Sequence, residues 1–481
     1  MRTRCCAILV TCCGLIATVA LAASQARAAA LLIQNARLID GTGAAPHPGT
    51  SILVRDGRIA AIGDDLAAQD VPVLDVQGAT VLPGLIDSHI HLGVVPGSAL
   101  RRDTPEVERT LRRRHLRAYL ACGVTTVLDT HVDLAVAREI KAWLAAGEPG
   151  PRYLTLGPGF VPPDGYPADG TPSMATPEDV AAHFAQLAEL GVVGVKVFLE
   201  PGFGMRRVWP TLSAEVRAAI AREAADRRLP IYVHAQREEE MNLALAMGVH
   251  AFVHGGFYDG SPSDGFVQRV AASGAYLGST FAVVDAQSIE FHPERLEDAL
   301  VRRTVPAVEI ATARDPAAGR ALAAAQIGMV EPWLPNVLHG LLARWFVSDA
   351  SLEARLASSQ RAVRRFWEAG VPIVVGSDSG NWPIDPYHFH GVTTLRELEL
   401  LRDAGMPPME VLDAATRVPA RMLDLSDEIG TVELGKRADL IVVRGDPLSD
   451  LRALRTIAWT IQGGVARTPE EWMDGEPVTR P

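Results

Sequence analysis

Short apolar runs broken by Gly, Asp and Pro open the chain after residue 30. LLIQNARLID, GTGAAPHPG, SILVRDGRIAAIG and VPVLDVQGAT follow one another to about residue 79, the pattern of short antiparallel strands joined by tight turns. The same texture returns near the other end in IGTVELGKRADLIVVRGDP and TIAWTIQGGVART. The two segments predict one small β-sandwich, built from 29–80 and 425–481, that carries everything between as an insert. Within 81–424, strand-like runs alternate with amphipathic helices, which indicates the α/β class and a (β/α)8 TIM barrel. The eight predicted strands are 81–89, 124–129, 153–157, 193–199, 231–234, 251–254, 275–280 and 372–378. Between the last two, 281–370 is rich in Ala, Arg and Leu with few turn signals. We expect helices there, some of them forming a lid over the C-terminal mouth of the barrel.

Composition narrows the class. The chain has 481 residues, 48% hydrophobic and 21% charged, with a net charge of −11. That excludes a disordered chain and argues against a nucleic-acid binder, which would show a basic domain or stripe. The arginine-rich run 112–117 reads as the polar face of a helix. Only Lys141, Lys196 and Lys436 among the 46 basic residues are lysine, so each stands out. Arg2 and Arg4 precede an apolar run that ends in Ala26-Arg27-Ala28, a small-x-small pattern. Residues 1–28 are therefore expected to be a secretory signal peptide, with export to a bacterial periplasm; an uncleaved anchor is the alternative. Cys5, Cys6, Cys12 and Cys13 lie in that run and leave only Cys122, so no disulfide framework is expected.

The chemistry sits at the predicted strand ends. In PGLIDSHIHL, His89 and His91 are two residues apart, so both side chains leave one face of a strand and can meet one metal ion. His234 in IYVHA, His254 in FVHGG and Asp378 in VVGSDSG end three further strands, on the face where barrel enzymes gather catalytic groups. A histidine pair alone is equally well one buried and one solvated ring; the coincidence of all five favours a metal centre. Lys196 lies inside the apolar run VVGVKVFLE, where an ammonium carries a heavy desolvation cost. It could pair with Glu200. Beside metal ligands, however, its amine would be neutral and able to take up carbon dioxide as a carbamate, which arginine could not do.

PGLIDSHIHL, GVKVF, VHA, VHGG, GSDSG and the tail LGKRADLIVV together resemble the amidohydrolase superfamily, over nearly the whole chain past the signal segment, and most of all its imidazolonepropionase-like and Xaa-dipeptidase-like members. The resemblance implies two divalent metal ions, Zn2+ by preference. His89, His91 and Asp378 would hold one, His234 and His254 the other, and carboxylated Lys196 would bridge them together with a hydroxide. That hydroxide would attack an amide carbonyl, with Asp378 as general acid and base. The implied substrate is a dipeptide or N-acyl amino acid, with a lactone, ester or cyclic amide as the alternative and a catalytically dead barrel disfavoured because no ligand is lost. Loops past the strand ends nominate His131, as a donor to the developing oxyanion, and Arg206, Arg237 and Tyr258 as substrate contacts; Phe203 and Arg207 lie in the same loops. A second pair, His388 and His390, is expected to line the pocket or pack its loop, because no third ligand is evident. The partner is a small-molecule amide or peptide; no nucleic acid and no membrane span after cleavage are expected, and homo-oligomerisation is left open.

Overall fold

A computed structural model describes residues 30–167, 170–203 and 209–474; the signal segment falls outside them. Five strands from the N-terminal segment, β1 (Leu31–Leu38), β2 (His47–Arg55), β3 (Arg58–Asp64), β4 (Val73–Asp75) and β5 (Thr80–Pro83), join three from the C-terminal one, β14 (Leu440–Val443), β15 (Ile457–Gln462) and β16 (Val465–Arg467). The hairpin β2–β3 turns at Asp56-Gly57, both with positive φ, where Asp-Gly matches the twist of two paired strands. β5 pairs antiparallel with β14 through Leu82 and Ile441, which ties the two ends of the chain together. Ile33, Ile52, Val54, Val81, Leu440 and Ile461 pack into one core between them.

The expected sandwich is corrected in one respect: all eight strands belong to a single branched sheet, in the order β16-β15-β14-β5-β1-β2-β3. The branch is at β1, which pairs with β4 at Leu32–Gln34 and with β5 at Arg37–Leu38. Register shifts on either side of Ala36 turn the strand between those partners.

The predicted strand 81–89 is also two strands. β5 ends at Pro83, and β6 (Leu85–Ile90) begins a second layer after Gly84. A Cβ at Gly84 would lie 2.2 Å from Thr125 Oγ1, so only glycine lets the backbone pass between the layers.

Seven parallel strands follow β6: β7 (Val124–Asp129), β8 (Arg152–Thr155), β9 (Val195–Phe198), β10 (Ile231–His234), β11 (Ala251–Phe252), β12 (Tyr276–Gly278) and β13 (Ile373–Val374). They form a sheet of three, β6-β7-β8, and a sheet of five, β13-β12-β11-β10-β9. The ladders are not continuous, yet the sheets meet at both edges. Phe160 bridges Val197 in parallel, with Phe160 N donating to Lys196 O (2.8 Å). Ile90 bridges Ser379, with Ser88 N donating to Val375 O and Asp378 N to His89 O, both at 2.8 Å.

Helices connect the strands. Thr104 and Thr176 cap two of them, each with Pro in the first turn and the second with a capping box. The arginine run lies on the helix Pro105–Ala121, but not wholly on its wet side: Arg112 turns inward to Glu108 (2.7 Å) and Gly93 O (3.1 Å), while Arg113 and Arg117 face Glu148. The segment 281–370 is helical as expected, from Ala282–Asp285 to the long helix Asp349–Glu368. Among the described residues, no helix is long and apolar enough to cross a membrane.

Candidate active site

His89 and His91 leave the end of β6 on one face, as the two-residue period of a strand requires. His89 Nδ1 lies 3.0 Å from Val253 O, and His91 Nδ1 lies 3.1 Å from the backbone O of His131. A ring nitrogen facing a carbonyl oxygen carries the proton, so both Nε2 atoms present lone pairs. Those atoms are 3.2 Å apart, and Asp378 Oδ1 lies 3.3 Å from one and 2.9 Å from the other. Three lone pairs converging in a buried place repel one another unless a cation lies between them. Asp378 Oδ1 has no hydrogen-bond partner, which fits a ligand atom and not a satisfied structural carboxylate. His89, His91 and Asp378 form the candidate metal-holding group among the described residues.

The electrostatics agree with that assignment. Burial, and next the charge of Lys196, hold His89 well below its usual pKa. Burial opposes the charge on Asp378, but positive charge on the side of His89 and His91, the place a metal ion would take, holds its carboxyl well below the ordinary range. Asp378 sits at φ 53°, a left-handed conformation uncommon outside glycine. Its neighbours enforce that geometry. Asp87, buried in the strand before His89, accepts from Ser377 N (3.0 Å), Thr394 Oγ1 (2.6 Å) and His89 N (3.2 Å), and so ties the two ligand loops together. Burial pushes Asp87 up to about 6 despite those donors.

The second set lies alongside. The His254 ring is 4.8 Å from His89 and 4.5 Å from His234, centroid to centroid. His254 Nδ1 is held by Thr280 Oγ1 at 3.0 Å, and His234 Nε2 faces Glu200 Oε2 at 3.3 Å. In both rings the remaining nitrogen is left for a ligand role. Lys196 is 1% exposed, with Nζ 3.5 Å from His89 Nε2 and 5.1 Å from the centre of the Phe198 ring. It does not pair with Glu200, which instead faces His234 and accepts from Gly202 N and Phe203 N. Burial pulls the Lys196 amine down to about 7, against Asp378 and Asp129. An amine of that pKa is substantially neutral at physiological pH, the form that reacts with carbon dioxide.

These groups form the floor of a cavity of about 1230 Å³, walled on one side by the insertion helices. His131 lines it, but its ring is engaged: Gly159 N donates to Nδ1 (3.0 Å), and Nε2 faces Thr171 Oγ1 (3.3 Å). Tyr258 also lines it, with a buried hydroxyl that has no hydrogen-bond partner. Arg237 is corrected as a substrate contact. It caps the helix Glu238–Ala246, is exposed, and does not line the cavity, because β10 ends three residues earlier and the chain has already turned outward. Arg206 and Arg207 lie outside the described residues. His388 and His390 are buried beneath the mouth and do not line the cavity.

Three positions at the site were not singled out from the sequence. Asp87 carried a signal, an acid inside an apolar strand; Thr280 and Arg355, a cavity-lining residue of the helix Asp349–Glu368, carried none that distinguishes them from ordinary polar residues, and Glu200, read as a partner for Lys196, faces His234 instead.

The amidohydrolase family model matches residues 80–466. Imidazolonepropionase of Symbiobacterium thermophilum is 24% identical over 440 residues, 83% of this chain and 85% of that one. N-acyl-D-aspartate deacylase of Alcaligenes xylosoxydans xylosoxydans is 48% identical over 60 residues, only 12% of each chain. In fold, the chain is similar to a Xaa-Pro dipeptidase solved with methionine in its active site, at a TM-score of 0.70 and 22% identity over 91% of this chain and all of that one. The family match runs from β5 through every strand that carries a candidate ligand, and the chain thus belongs to the amidohydrolase family, as a hydrolase acting on C–N bonds.

Proposed function

We propose that this protein is a binuclear metal-dependent hydrolase of a small amide, a dipeptide or an N-acyl amino acid. The observation that carries the reading is the convergence of His89 Nε2, His91 Nε2 and Asp378 Oδ1 within hydrogen-bond distance, while the Nδ1 atom of each ring faces a backbone oxygen. His234, His254 and a carboxylated Lys196 complete the set for two divalent ions, by preference Zn2+. Such ions lower the pKa of water to near neutrality and polarise a carbonyl.

The chain's own residues supply the rest. Asp378 is a carboxylate held ionised in a buried site, able to take a proton from the attacking water and return it to the leaving nitrogen. The Tyr258 hydroxyl is a buried donor without a partner, suited to the developing oxyanion. His131, held by Gly159 N, orients His91 through its backbone oxygen. In this reading β6 to β13 make one (β/α)8 barrel over 81–424, the terminal segments make the small domain, and residues 1–28 direct export to the periplasm.

The likeness to a deacylase of N-acyl amino acids and, in fold, to a dipeptidase supports an amide beside a carboxylate. The test is a release assay on Zn-loaded enzyme with bicarbonate, using dipeptides and N-acyl amino acids and following free amino acids by mass spectrometry. Release of defined C-terminal residues is expected. No release, with two metals bound per chain, would move the reading to a lactone, ester or cyclic amide.

A further inference from the structure

Two arginines line the cavity, Arg355 and Arg361; among the described residues neither forms an ion pair, and only Arg355 is withdrawn from solvent. Arg355, in the insertion helix Asp349–Glu368, lines the cavity and is only partly exposed. Its Nε is buried without a hydrogen-bond partner, and among the described residues its guanidinium forms no ion pair. It lies over the Tyr258 ring, 5.4 Å from the centroid. A guanidinium is always charged and presents a planar fork of donors that matches a carboxylate, so leaving it half-buried and unpaired is costly unless something fills the place. Tyr258 also carries an unpartnered buried hydroxyl. Two adjacent side chains that line the cavity holding the His-His-Asp group, each with an unpartnered donor, describe a place for a substrate's oxygens.

We propose that Arg355 binds the carboxylate of an N-acylated amino acid, next to the carbonyl that Tyr258 contacts. This deepens the proposed function and rests on it. In such a substrate the scissile carbonyl and the carboxylate are separated only by the nitrogen and the α-carbon, so their recognition groups must be neighbours, as Tyr258 and Arg355 are. The rest of the insertion wall sets Val283, Val284, Ile327, Val330 and Val347 beside the polar Gln287 and Gln326, and the cavity exceeds what a small dipeptide fills. The volume and the five aliphatic side chains suit a large acyl group with an apolar body. The anchor comes from the insertion and not from a strand end, so its place depends on how that insertion packs.

The experiment uses the metal-loaded full chain with N-decanoylalanine and its carboxamide, in both enantiomers. The wild type is expected to prefer the acid by about 100-fold in kcat/KM, the scale of a charge-assisted bidentate contact. In Arg355→Met, which keeps the stem over Tyr258, that preference should collapse towards unity through KM and not kcat. Arg355→Lys should retain part of it, since the charge remains and the fork is lost. An acid-to-amide ratio unchanged in Arg355→Met overturns the proposal. If the wild type cleaves neither compound, the proposed reaction fails separately. Calorimetric binding of the same pair then decides: loss of the acid preference in Arg355→Met supports the anchor, and no change overturns it.

Discussion

Two His-x-His pairs sit in this molecule at the same spacing and opposite ends of the barrel sequence, and they do opposite things. His89 and His91 give their Nδ1 protons to backbone oxygens and turn their Nε2 lone pairs toward each other and toward Asp378. His390 has both nitrogens engaged, Nδ1 with the Tyr119 hydroxyl (2.9 Å) and Nε2 with Val94 O (3.0 Å). Its neighbour His388 faces Asp385 at 3.0 Å; burial works against its charge, but the Asp385 carboxylate overrides that and raises its pKa. The His115 ring stacks 4.3 Å from His390 and shares a proton with Glu309 across 2.7 Å. One pair gathers acceptors around a space; in the other, His390 fastens the loop after β13 to Tyr119 of the helix Pro105–Ala121 and to Val94 O, while His388 faces Asp385 of its own loop. Spacing alone therefore does not make a metal site. What distinguishes His89 and His91 from His390 is where the second nitrogen of each ring finds its partner.

The contrast can be broken from either side. Asp378→Asn should cost the most, about 10³-fold in kcat, with part of the metal retained; a steady-state assay alongside metal analysis checks it, and full activity would remove Asp378 from the mechanism. Next, Thr280→Val takes away the oxygen that holds His254 Nδ1, and metal affinity should fall by about 10- to 100-fold, as read by competition with a chelator. At the second pair, His390→Phe should leave metal content intact while lowering stability by about 1–3 kcal/mol, because the Tyr119 hydroxyl and Val94 O lose their partner; urea unfolding measures it, and metal loss in this variant would erase the distinction drawn here.

The remaining effect concerns pH. Burial pushes Glu309 up to about 8, and burial together with Arg112 pulls His115 down to about 3, so the native pair keeps one shared proton over that range. In the unfolded chain the histidine releases its proton near pH 6.5. Between about 6.5 and 8 the native state thus binds more protons, and its stability falls as pH rises, by about 2 kcal/mol. Glu309→Gln should flatten that slope in thermal melts at pH 6 and pH 8.5; an unchanged slope would place the titration elsewhere.

The candidate ligands were legible because each is announced locally. A strand's two-residue period puts His89 and His91 on one face, and a lysine in an apolar run is conspicuous in a chain with three. Gly84 was not legible as a break, since its constraint is the Thr125 side chain of the next strand. Nor was the branch at β1, where two strands compete for different halves of one edge. His131 shows the same limit in the site: its position at a strand end is in the sequence, but its engagement with Gly159 and Thr171 comes from the following loop.

By itself, then, the sequence determined the alternation of strands and helices, the residue types at the strand ends and the family, because those depend on period, propensity and short motifs. The tertiary structure alone decided which histidines face a common point. The partners that settle it, Tyr119 for His390 at 271 residues' distance and Val253 O for His89 at 164, are brought close only by folding. It also decided that Arg355, one arginine among many, stands unpaired over Tyr258, since pairing depends on what is near in space and not on what is near along the chain.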